Sequence, residues 1–186
     1  MNKTEDFPMK TLTPVKKIVL TAVCAALCVV VPMAFHAIPN AGSVFLPMHI
    51  PVLLCGIVCG WPNGFICGLI GPLVSSLLTG MPPAAMLPSM MVECCVYGLT
   101  TGLVMKYVRT GKLLPDLYIS MIAAMILGRA ISGIAKSLIF SPGTAPFAWV
   151  TTSLVTGIPG IVIQLLLIPL IIVALTRAHL VPKRYK

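Results

Sequence analysis

The chain has 186 residues, 58% of them hydrophobic and only 9% charged, with a mean hydropathy of +1.04. Soluble domains carry about 25% charged residues, so this composition excludes one and specifies a polytopic membrane protein with room for about six spans. The net charge of +9 comes from 13 Lys and Arg against four Asp and Glu. Membrane topology accounts for it below, without nucleic acid.

In chain order, residues 1–14 are polar and mixed in charge and read as a cytoplasmic tail. Lys16 and Lys17 precede an apolar run, Ile18 to Phe35, too long and too closely followed by further runs to be a signal peptide. Within it Ala22-Val-Cys-Ala-Ala26 sets small residues four apart, a surface that another helix can approach closely. An uncharged linker, His36 to Pro47, contains Asn40. Two runs follow, Met48 to Gly60 and Gly64 to Leu78, joined by the Trp61-Pro62-Asn63 turn. They read as two spans rather than one re-entrant hairpin, with His49 at the outer end of span two. Runs four to six are Ala84 to Tyr107, Leu117 to Phe140 and Val150 to Leu175. The expected fold is a single all-α integral membrane domain, a compact bundle of six transmembrane helices. Its spans fall near 15–35, 46–60, 63–79, 84–107, 116–140 and 149–176, with a second tail at 177–186.

Orientation follows from the cations. Arg129 and Lys136 lie inside span five. The other 11 fall in the N-terminal tail, between spans four and five, and after span six. With six spans these segments share one side, which the positive-inside rule places in the cytoplasm.

Ionisable residues at membrane depth are costly and usually face a protein interior or a wet cavity. Arg129 and Lys136 are seven residues apart, two helical turns, and so share a face with Ser132 between them; Gly128 and Gly133 leave room beside it. Glu93 in span four and Gln164 in span six reach similar depth. Glu93 either pairs with Arg129 and fixes helix packing, or contacts a ligand. In both cases Lys136 is left without an evident acidic partner and suits a carboxylate or phosphate. The outer loops are uncharged and proline-rich. Trp149 lies at the end of the last one, either as an interfacial anchor or as a cover for a planar ligand.

Other chemistries find little support. All seven cysteines fall in apolar runs with no C-x-x-C and read as small packing residues, and no protein-held metal or cofactor is expected. A Cu(I) site built on Met81, Met86, Met90 and Met91 is a minor alternative. There is no H-E-x-x-H, G-x-S-x-G, clustered acid pair or P-loop, so the chain is not expected to be an enzyme or to hydrolyse ATP.

With Ala22-Val-Cys-Ala-Ala26 in the first span, the run from Leu46 to Pro83 (LPMHIPVLLCGIVCGWPNGFICGLIGPLVSSLLTGMPP) and six spans in so short a chain, the sequence resembles the substrate-binding S component of energy-coupling factor (ECF) vitamin transporters. The resemblance covers nearly the whole chain. It implies a bacterial plasma-membrane protein that docks through Ala22 and Ala26 on a transmembrane T subunit, which joins two cytoplasmic ATPases. It implies a ligand site in the outer half, where Glu93, Arg129, Lys136, Trp149 and Gln164 fall, with Asn40 and His49 as further candidates. The lack of an N-terminal histidine motif argues against nickel or cobalt. The ligand expected is a small water-soluble vitamin or related nutrient. Pantothenate would suit the cations through its carboxylate; riboflavin, queuosine precursors, folate and cobalamin remain open. The competing reading is a free-standing secondary transporter or channel, against which the small size and lack of visible internal repeats weigh.

Overall fold

The computed structural model describes residues 12–35, 41–140, 146–182 and 184–185. Helix α1 (Pro14–Ala34) starts where the Thr13 hydroxyl accepts from the Lys16 N–H at 3.4 Å and Pro14 takes a position whose missing N–H costs nothing. Prolines stand in the first turns of further helices in the same way. Pro62, Pro88 and Pro159 sit in the first turns of α4 (Trp61–Thr79), α5 (Leu87–Tyr107) and α8 (Ile158–Arg177). The others are α2 (Ala41–Phe45), α3 (His49–Cys59), α6 (Leu113–Ala135) with a π-helical turn at Lys136–Phe140, and α7 (Pro146–Thr156).

Among the described residues six stretches are long and apolar enough to cross a membrane. The second is composite. Helix α3 has 11 residues, about 16 Å, too short for a hydrocarbon core of about 30 Å. With α2 it forms the stretch 42–59, broken at Leu46, whose φ of +50° no helix continues through. The last span also differs from the continuous helix expected over 149–176. It is divided at Gly157 into α7 and α8, because Pro159 cannot donate the hydrogen bond that an unbroken helix would need there. Between α3 and α4 the reversal is made by Gly60 alone, at φ +92° and ψ 172°, a conformation essentially reserved for glycine.

Helix α5 is central and packs on α3, α4 and α6. Its crossing with α4 is a contact of backbone on backbone. A Cβ at Gly64 or Gly68 would overlap the main chain at Gly98 or Cys94, and one at Gly98 or Gly102 would overlap that at Gly64 or Trp61. Small residues serve where lipid tails offer no hydrophobic drive and close approach must supply the attraction. Around this seam lie Val52, Leu53, Cys94, Leu117, Met121 and Ile168, all fully buried. The cysteines pack here as small apolar groups, six of them buried and Cys24 half-buried. Helix α1 is peripheral: of its residues only Cys28 and Pro32 are buried.

The start of α1 and the described C-terminal segment lie at one end of the bundle, and there that segment is tied down. The buried Asp116 carboxylate, in the first turn of α6, accepts from the Thr110 N–H (2.9 Å) and hydroxyl (2.7 Å), from Arg184 Nε (2.8 Å) and from the Tyr185 hydroxyl.

Candidate ligand-binding site

Four helices bring ionisable or amide side chains to one place in the half of the bundle away from the start of α1 and the end of α8. His49 is the first residue of α3. Glu93 follows Leu87, the start of α5, by six residues, about 9 Å of helix. Gln164 follows the start of α8 at Ile158 by the same interval, and Arg129 precedes the end of α6 at Ala135 by six. These equal intervals put Glu93, Arg129 and Gln164 at similar depth, and His49 joins them through its approach to Glu93. His49, Arg129 and Gln164 are 0–2% exposed and Glu93 8%.

Glu93 Oε1 lies 3.5 Å from His49 Nε2 and 3.9 Å from Arg129 Nε. Both distances permit charge attraction but exceed hydrogen-bond length. The guanidinium is oriented from its other side, where Nη1 donates to the Ser153 carbonyl in α7. Gln164 Nε2 donates to the Leu46 carbonyl at 3.3 Å. Since a carbonyl only accepts, the amide orientation is fixed and Oε1 is presented as an acceptor. Both anchoring carbonyls belong to the interrupted segments, at the α2–α3 break and in α7. The edge of the His49 ring meets Tyr97, centroids 5.0 Å apart.

The cluster is incompletely satisfied. Among the described residues, the buried side-chain nitrogen and oxygen atoms without a hydrogen-bond partner are His49 Nδ1 and Nε2, the Tyr97 hydroxyl, Arg129 Nε and Nη2, and Gln164 Oε1. Each such group costs about 1–3 kcal/mol, and all six belong to this one cluster. Two glycines make the space: a Cβ at Gly157 would lie 2.8 Å from Arg129 Nη2, and one at Gly128 would overlap the Tyr97 ring.

Of the residues singled out in the sequence, the structure therefore unites His49, Glu93, Arg129 and Gln164. Ser132, on the Arg129 face, is buried and donates to the Arg129 carbonyl at 3.3 Å. Lys136 lies just past α6 in the π-helical turn, half-buried and engaged in contacts of its own, so its description as a cation without a partner does not hold. Trp149 is in α7, and its side chain lies outside the description, as does Asn40 altogether. Ala22 and Ala26 are both exposed on α1. Sequence reasoning missed Tyr97, although it stands one turn after Glu93 on the same face of α5. It also missed Ser153 and Leu46, which act through carbonyls that no side chain advertises.

A family model described as ECF transporter, substrate-specific component, matches residues 16–172. No curated protein matches the sequence.

Proposed function

The chain belongs to the ECF transporter substrate-specific components, and on that premise we propose that it captures a small water-soluble vitamin or related nutrient at the outer face of the bilayer. It passes the nutrient inward in company with a T subunit and two ATPases. The observation that carries this reading is the gathering of all the unpartnered buried side-chain atoms of the described residues into the His49–Glu93–Tyr97–Arg129–Gln164 cluster. A bundle selected for stability alone would not concentrate such costs in one layer.

Glu93 compensates the charge of Arg129, so the cluster selects by direction of hydrogen bonding more than by net charge. A ligand meets it with an acceptor toward Arg129 Nε and Nη2 and a donor toward Gln164 Oε1. Lys136, two turns farther along the same helix, receives an anionic substituent such as a carboxylate. Trp149 and Asn40, in and beside the outer loops, cover the bound molecule. On the opposite flank, the exposed small surface of Ala22 and Ala26 admits the T subunit.

Protein purified in mild detergent and then heat-denatured should release one vitamin-like compound in near-stoichiometric amount, identified by mass spectrometry. The same compound should rebind to emptied protein and raise its melting temperature. If nothing is released, and pantothenate, riboflavin, folate, queuosine precursors and cobalamin all leave the melting temperature unchanged, the reading is wrong.

A further inference from the structure

At the end of the bundle where α1 begins and α8 ends, a cavity of about 490 Å³ opens between α1, the α3–α4 turn, α5, α8 and the C-terminal segment. This falls within the range of small-molecule sites, about 300–1,000 Å³. The site described above is at the other end. Among the described residues the cavity is lined by Lys17, Lys106 and Arg184 and by no Asp or Glu. Arg184 is already committed, to Asp116 and to the Val108 carbonyl at 2.6 Å. Lys17 and Lys106 have no carboxylate within ion-pairing distance among the described residues. The Lys106 ammonium rests 5.1 Å from the Tyr107 ring centroid. Most of the remaining lining is apolar and includes Trp61, Leu113 and Ile172.

Depth decides what fits. Lys17 is in the first turn of α1 and Lys106 in the last turn of α5, so both ammonium groups stand at the ends of spans, where lipid headgroups lie. Trp61, 41% exposed at the first residue of α4, is an interfacial aromatic at the same level. A free anion would use the lysines but gain nothing from the walls. An apolar helix would use the walls but leave the two lysines facing it uncompensated. A molecule with a phosphate at one end and hydrocarbon at the other uses both.

We propose that this cavity is a binding site for an anionic phospholipid, with its phosphate between Lys17 and Lys106 and the start of an acyl chain against Trp61, Leu113 and Ile172. Basic pockets at such ends of transmembrane bundles are suited to headgroups of this kind, each cation near the surface contributing about 1 kcal/mol. The site is independent of the ligand cluster and of the identity of the nutrient.

The test is native mass spectrometry of the full chain, incubated with phosphatidylglycerol or with phosphatidylcholine of the same acyl chains. One phosphatidylglycerol should be retained in preference to phosphatidylcholine. The double variant Lys17→Gln/Lys106→Gln should weaken its retention about thirty-fold, which is about 1 kcal/mol for each lysine. Arg109→Gln/Lys112→Gln, the same loss of charge at the same end but outside the cavity, should leave it unchanged. Thr176→Trp, which fills the cavity without changing its charge, should reduce retention as strongly as the lysine pair. Equal retention of the two lipids, equal loss in the two double variants, or displacement of the lipid by inorganic phosphate at about 10 mM would each overturn the site.

Discussion

Removing one partner of the buried Arg129–Glu93 pair should destabilise the bundle by an amount that the geometry fixes within a narrow range. Unit charges 3.9 Å apart, in surroundings with an effective dielectric constant of about 20, attract by about 4 kcal/mol. Stranding one member of such a pair costs about 3–5 kcal/mol. The two single variants are not equivalent. Arg129→Met leaves Glu93 with His49 at 3.5 Å as a remaining partner, whereas Glu93→Gln leaves Arg129 with only the neutral carbonyl of Ser153. Glu93→Gln is therefore expected to be the more damaging. At about 2–4 °C per kcal/mol for a chain of this size, either variant should lose about 10 °C in melting temperature. The assay is the fraction of monodisperse protein surviving a temperature series in detergent, completed by the double variant. The double variant should cost about 2–4 kcal/mol less than the sum of the singles, because it removes both charges together. Additivity within about 0.5 kcal/mol would show that the two side chains do not sense each other, and the pair would have to be abandoned as the organiser of the site.

Ala26→Trp should reduce assembly with the T subunit and uptake while leaving ligand affinity of the isolated chain near normal; lost affinity with intact assembly would show that this face of α1 does not dock. In a cysteine-free background, a cysteine at exposed Ser43 should react with an impermeant thiol reagent added to intact cells and one at exposed Thr110 should not. Labelling at Thr110 instead would reverse the orientation. Lys136→Ala should weaken ligand binding by about 10- to 150-fold, the equivalent of one hydrogen bond from a charged donor. An unchanged dissociation constant in a well-folded variant would remove Lys136 from the site.

Much of the architecture was legible because its signals are coarse. Long apolar runs separated by turn formers specify six spans, and ionisable and amide residues stand out against such a background, which is how Glu93, Arg129 and Gln164 came to notice. What stayed hidden depends on finer geometry. Helix α2 is only five residues long and sits in a stretch that reads as linker, so the outer part of the second span went unread, and hydropathy is averaged over a window longer than the interruption at Gly157, so the last span reads as continuous. Tyr97 is an aromatic in an apolar run and passes for ordinary core, although its hydroxyl is among the unpartnered atoms. The carbonyls of Ser153 and Leu46 hold Arg129 and Gln164 in position, and any residue type there would supply a carbonyl. Lys136 is a different case. A charge conspicuous in sequence was credited with isolation, whereas in the folded chain it has neighbours.

The glycine contact between α4 and α5 has a mechanical corollary. Where main chain rests directly on main chain, no rotamers can be exchanged to absorb a displacement, so the joint is stiff up to the point at which the helices part. Helices α3, α4 and α5 should therefore move as one plate. Compliance is left to the segments outside it: α1, which is barely embedded, and the interrupted stretches at Leu46 and Gly157 that carry the anchoring carbonyls of the polar cluster. A single methyl group added at Gly98 would not loosen a local contact. It would act as a wedge, levering the two helices apart along their whole crossing, and the displacement would be greatest at their far ends.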